Sequence, residues 1–215
     1  MAFTLHAFPE SGACYKVALM LTLSGADWRG AWIDYFAKTE TRTPEWRERM
    51  SVMGEAPVLD DGDLRLTQSG AILFHLAERL PQFAPRGEEE KREALRWILF
   101  DNHKFTSYLA TWRFQLGWVA EPDPAVVAFF RTRVEGAFAV VEQQLAARPF
   151  LLGDRATIAD LSLNGYLHYP QAEWPIGLAE RYPNLAAWIG RIAALPGWRA
   201  PYDLLPGPRT PPLLR

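Results

Sequence analysis

A chain of 215 residues is long enough for one large domain or two small ones around a buried core. Its apolar share of 49% and charged share of 22% are ordinary for a globular protein, and a net charge of −2 leaves no electrostatic footprint for nucleic acid or an anionic membrane. No apolar run reaches membrane-spanning length, the Met-Ala-Phe-Thr-Leu-His start lacks a basic segment ahead of an apolar core, and the lone Cys14 excludes an internal disulfide or a thiolate zinc cluster, so a cytoplasmic, reducing compartment is expected.

In chain order, Phe3, Leu5 and Ala7 alternate as a strand does. Pro9-Glu10-Ser11-Gly12 then turns the chain, and Cys14 to Ser24 reads as a helix stopped by Gly25. Trp28 to Tyr35 reads as a second strand. Pro44, at a helix N1 position, starts a segment running to about Met53. Pro57 precedes an apolar strand, where a cis bond would make a tight bend. Asp61-Gly62 is a hairpin dipeptide, Leu64 and Leu66 alternate after it, and a helix opens at Ser69 and runs to about Leu80. The order β-α-β-α-β-β-α predicts a mixed four-stranded sheet with helices packed on it.

Residues 81–87, with Pro81 and Pro85, read as a linker. Beyond it every segment reads helical: one long helix from Glu88 to about Trp118, a second from Pro124 to about Arg148, a third from Thr157 through Leu167, and a last from about Asn184 to Leu195. Thr157 and Asp160 are spaced as a variant of the capping box. The expected organisation is an α/β domain over 1–80, the linker 81–87, an all-α domain over 88–200 and an extended tail over 201–215.

The stretch from Gly54 to Gly70 carries most of the functional information. A proline bend offers backbone groups and the start of a helix offers free N–H donors, so together they suit a short peptide with a carboxylate. Capping accounts for Ser69 but not for the Gln68-Ser69 pair after such a hairpin. Ser11, read alone, is a turn or helix-cap residue. Phe105, Tyr108 and Trp112 fall on one helical face, a spacing more common in cores than in ligand pockets. His6, His75, His103 and His168 have no metal-ligand spacing, so no metal is expected.

Gly54-Glu55-Ala56-Pro57-Val58-Leu59, Gln68-Ser69, Thr157-Ile158-Ala159-Asp160 and Tyr182-Pro183-Asn184-Leu185 with Leu195-Pro196-Gly197-Trp198 follow one another in an order that resembles the cytosolic glutathione S-transferases over nearly the whole chain. The resemblance implies a thioredoxin-like N-terminal domain, an all-helical second domain, glutathione as co-substrate and a homodimer active in detoxification. It implies that Ala56 and Pro57 hold the peptide backbone, that Gln68 and Ser69 grip the γ-glutamyl end, and that a cation takes the glycyl carboxylate. Arg42 is preferred to Lys38 for that cation because a guanidinium can make two bonds to a carboxylate. Phe105, Tyr108 and Trp112 would meet a small apolar electrophile. Glu55 departs from the family's usual lysine or glutamine and would repel the glycyl carboxylate if it pointed inward.

The chemistry requires a thiolate, and a free thiol with a pKa of about 8.5 is mostly protonated at neutral pH. A hydroxyl aimed at the sulfur, backed by the positive end of a helix, lowers that pKa; one to two units correspond to ~1.4–2.7 kcal/mol. Ser11 resembles the catalytic position of the serine-type branch, and Cys14, within Gly-Ala-Cys, that of the cysteine-type branch. Ser11 is the preferred candidate. The alternatives are a thiol-redox enzyme using Cys14, and a non-catalytic module that binds glutathione or apolar ligands.

Overall fold

The computed structural model describes residues 2–213. They form two compact units, one of residues 2–84 with 195–210, the other of residues 85–194 with 211–213.

The first unit is built on a four-stranded sheet. Strand β1 (Phe3–Ala7) buries Phe3, Leu5 and Ala7 on one face, the two-residue period read from the sequence. Helix α1 (Gly12–Leu23) carries the chain back so that β2 (Trp28–Trp32) lies parallel to β1. Almost every side chain of α1 is buried, Lys16 included, as suits a helix apolar all round. β2 ends sooner than expected. After Ile33 donates to the Ala7 carbonyl, the Asp34 carboxylate accepts the amides of Ala37 and Lys38, and this side-chain turn takes the chain out of the sheet.

Helix α2 (Pro44–Arg49) starts as expected, with Thr43 accepting from the Trp46 amide and Pro44 in the first turn. It stops before Met53 because the chain folds back at Gly54. There φ is +69°, and the Arg47 guanidinium lies where a Cβ would be, 2.6 Å away. β3 (Val58–Asp61) and β4 (Leu64–Thr67) form the expected hairpin, with Gly62 at φ +61° in its turn. β3 runs antiparallel to β1, giving the order β2-β1-β3-β4. Helix α3 (Ser69–Arg79) packs beside α1.

The second unit is helical. Where one helix was expected from Glu88 to Trp118, there are α4 (Gly87–Phe100), a π turn over Asp101–Phe105, and α5 (Thr106–Trp118). The wider turn surrounds buried Asp101, whose carboxylate accepts from Thr106 at 2.5 Å and Ser162 at 2.6 Å. α6 (Pro124–Leu145) is followed by α7 (Ile158–Leu163), which gives way to a 3₁₀ turn over Asn164–Tyr166 instead of running on to Leu167. Two further helices, α8 (Leu178–Arg181) and α9 (Pro183–Ala193), complete the unit.

The expectation of an extended tail from residue 201 is corrected over its first turn. Pro201–Leu204 is a short helix, α10, in the first unit, and Leu204 and Leu205 are buried. The proline count that suggested extension instead places Pro201 in the first turn of α10, where its missing N–H costs nothing. An N-terminal α/β unit with a mixed four-stranded sheet, followed by a helical unit, is the fold expected from the sequence.

Candidate active site

The strand register gathers the candidate residues of the first unit at one end of the sheet. His6 pairs with Val58, so the chain leaving β1 toward Ser11 passes the Ala56–Pro57 bend. Val58 pairs with Thr67, so Pro57 also borders the junction where Gln68-Ser69 opens α3. The parallel strand β2 ends on the same side. The Ala56–Pro57 peptide bond is cis.

Ser11 is the N-cap of α1, with extended φ/ψ of −90° and 107°. Its Oγ accepts from the Cys14 amide at 3.1 Å. The hydroxyl proton is not used by that bond and can be donated. No acidic residue stands in the first turn of α1, so no side chain of that turn offsets the partial positive charge of the helix end.

Cys14 does not fit a nucleophile's role. It is fully buried, and burial pushes its thiol up to about 12, although the Ser11 hydroxyl and the Phe8 backbone pull the other way. A reactive thiol needs access and a stable thiolate, and Cys14 has neither. Burial thus favours Ser11 over Cys14 as the catalytic candidate.

Gln68, the N-cap of α3, has φ +68°, one of two non-glycine residues with positive φ among those described. Its amide nitrogen donates to Glu55 Oε2 at 2.6 Å and lies 3.0 Å from Met53 Sδ. Ser69 is buried at the first position of α3, which also has no acidic residue in its first turn. This helix start offers backbone N–H groups to an anion. Arg42 is exposed, its guanidinium 6.0 Å from the centre of the Tyr35 ring. Lys38 is exposed on the same loop.

The expected aromatic stripe does not line one pocket. Phe105 is core, stacked on Phe138 with ring centres 5.1 Å apart, and Trp112 is buried with it. The commoner meaning of an i, i+3, i+7 stripe, core packing, holds for these two. Tyr108 alone of the three borders open space, a groove of about 600 Å³ with Lys104, Phe129 and Arg133.

The sequence reading missed an aromatic group in the first unit. Phe8 stacks on Tyr35 at 4.3 Å, and Phe36 stands edge-on to both. With Glu10 and Arg209 these rings line a cavity of about 410 Å³ at the same end of the sheet. Thr210 closes one side by donating its amide to the Glu10 carboxylate. The available signal was the Tyr35-Phe36 pair at the end of a strand parallel to β1, which must emerge beside Phe8. Among the described residues no group of three His, Cys, Asp or Glu side chains is placed to hold a metal ion, and no helix is long and apolar enough to cross a membrane.

Residues 1–78 match the family model described as the glutathione S-transferase N-terminal domain, and residues 117–191 match that of the glutathione S-transferase C-terminal domain. Among curated proteins, human glutathione S-transferase P is 27% identical over 208 residues, covering 92% of this chain and 90% of that one. Among solved structures, a glutathione S-transferase from Xanthobacter autotrophicus is 33% identical with a TM-score of 0.83, covering 94% of this chain and 98% of that one. Another, from Pseudomonas fluorescens, is 30% identical with a TM-score of 0.84, covering 94% and 100%.

Proposed function

The chain belongs to the glutathione S-transferase family, and from that premise we propose that it activates the thiol of glutathione at Ser11 and joins it to a small electrophile. The observation that carries this reading is the Ser11 hydroxyl at the positive end of α1, on the end of the sheet shared by the Ala56–Pro57 bend and the Gln68-Ser69 junction.

In this reading the γ-glutamyl carboxylate lies at the N-terminus of α3, against the Ser69 side chain and backbone donors. The cysteinyl backbone follows Ala56 and Pro57, and Arg42 takes the glycyl carboxylate. The thiol then meets Ser11. Its proton passes to solvent, and the thiolate is held by the Ser11 O–H and the α1 dipole. The sulfur lone pair forms the new C–S bond. In a substitution the leaving group departs with the bonding pair; in an addition the electrophile takes up a proton. The Phe8, Tyr35 and Phe36 rings suit a flat apolar electrophile held next to the thiolate.

The redox alternative at Cys14 is disfavoured by burial of that thiol. We also read the protein as cytoplasmic and as a homodimer, the second reading supported by exposed Leu95 and Leu99 on α4 and Phe129 and Val140 on α6.

Turnover of a nitro-activated aryl halide with glutathione tests the function. Wild type and Cys14→Ala are expected to turn over, and Ser11→Ala to lose about 10- to 100-fold in kcat/KM, the factor that one to two units of thiol pKa represent. Glutathione binding without conjugation of any such electrophile would favour the non-catalytic module.

A further inference from the structure

Read from sequence, Glu55 is a liability, an acid in a site that must accept a peptide carrying two carboxylates. The structure gives it a different neighbourhood. Its carboxylate lies on the Gln68 amide, at the β4–α3 junction, and not with Arg42 on the loop after β2. β2 and β4 are the outer strands of the sheet, so three strand spacings, about 14 Å, separate their ends. That distance would separate the two termini of an extended tripeptide, which puts Glu55 at the γ-glutamyl end.

The hydrogen bonds at Gln68 fix what this corner can recognise. A primary amide nitrogen has two N–H donors. One goes to Glu55 Oε2 at 2.6 Å and the other faces Met53 Sδ at 3.0 Å. With both donors engaged, Gln68 presents only its carbonyl oxygen, and Glu55 presents only carboxylate oxygens. The pair is thus acceptor-only and negatively charged, suited to a cationic donor and not to a carboxylate. The γ-glutamyl head carries both kinds of group on one carbon, a carboxylate and an ammonium. The N-terminus of α3 and Ser69 suit the first, which leaves the second for Glu55 and Gln68.

We propose that Glu55, acting with Gln68, is a specificity-determining residue that recognises the α-ammonium of the γ-glutamyl group. The proposal rests on the reading of glutathione as the substrate. Glu55 therefore selects for an intact amino terminus, and its charge contributes attraction at one end of the peptide instead of repulsion at the other. Because Glu55 is exposed, its contribution is that of a screened ion pair and weakens with added salt.

Calorimetric titration with two probes tests this: glutathione, and glutaryl-cysteinyl-glycine, which lacks only the α-amino group. Wild type should prefer glutathione. Glu55→Gln should weaken glutathione binding about five-fold, the size of an exposed ion pair, and leave the glutaryl analogue unchanged, so that the preference collapses. Equal weakening of both probes by Glu55→Gln would reduce Glu55 to a loop-stabilising residue and overturn the proposal. Tighter glutathione binding by the variant would also overturn it, because Glu55 would then be repelling a carboxylate. If wild type binds glutathione but does not discriminate between the probes, the role of Glu55 falls and the glutathione reading stands. A wild type that binds neither probe overturns both.

Discussion

Ser11 uses one oxygen for two tasks. As N-cap it accepts from the Cys14 amide, and that bond holds the Oγ at the helix end without consuming its proton. The two tasks separate experimentally. Removing the cap should cost about 1 kcal/mol of stability whatever the substrate, whereas loss of the donated bond should appear only in turnover and thiol ionisation. Three residues on, Cys14 gives a pH signature. Its thiol ionises from an ordinary 9.0 in the unfolded chain and near 12 in the folded one, so the folded state binds its proton more tightly. The associated stability is fully present below pH 9 and is lost as pH rises toward 12, with a slope of about 1.4 kcal/mol per pH unit. Urea unfolding between pH 8 and about 10.5 should show this slope in wild type and a shallower one in Cys14→Ala. Identical slopes would mean that Cys14 is not buried as described. His168 acts in the opposite direction. Burial depresses it to about 4, so its stabilisation is present above 6.5 and lost as pH falls through that window.

At the scale of elements, legibility followed the locality of the signal. The hairpin at Asp61-Gly62, the proline-led start of α2 and the Thr157–Asp160 spacing are decided within a few residues, and each is present. The Asp160 arrangement goes further than the sequence suggests. Its carboxylate accepts from the Thr157 amide and hydroxyl, the Leu151 amide and the Trp188 indole. Burial pushes this carboxyl up and those four donors pull it down. Asp160→Ala strands buried donors from three residues and should cost at least about 3 kcal/mol in chemical denaturation; a loss under about 1 kcal/mol would contradict this hydrogen-bond scheme. What was not legible is tertiary. The π turn over Asp101–Phe105 depends on Ser162, 61 residues away, donating to Asp101, and no local spacing announces it. The same holds for the site. Pro57, Gln68 and Ser69 stand out in sequence because turn and cap chemistry mark them. The Phe8–Tyr35–Phe36 group exists only because β1 and β2 are parallel, and the engagement of Gln68 by Glu55 depends on the fold-back at Gly54.

At the scale of the whole molecule, we propose that a second copy of this chain covers the exposed apolar side chains on α4 and α6. Sedimentation at micromolar concentration should give twice the 24.4 kDa chain mass, and a species at the chain mass would contradict the dimer. We propose that the first unit ionises the glutathione thiol through Ser11. The most direct measurement is the ultraviolet absorbance of the bound thiolate as a function of pH, in wild type and Ser11→Ala, with glutathione saturating. The wild-type midpoint should lie about one to two units below the free-thiol value of about 8.5, and Ser11→Ala should return it to within a few tenths of that value. An unshifted wild-type midpoint, or a depressed one that survives in Ser11→Ala, would contradict it.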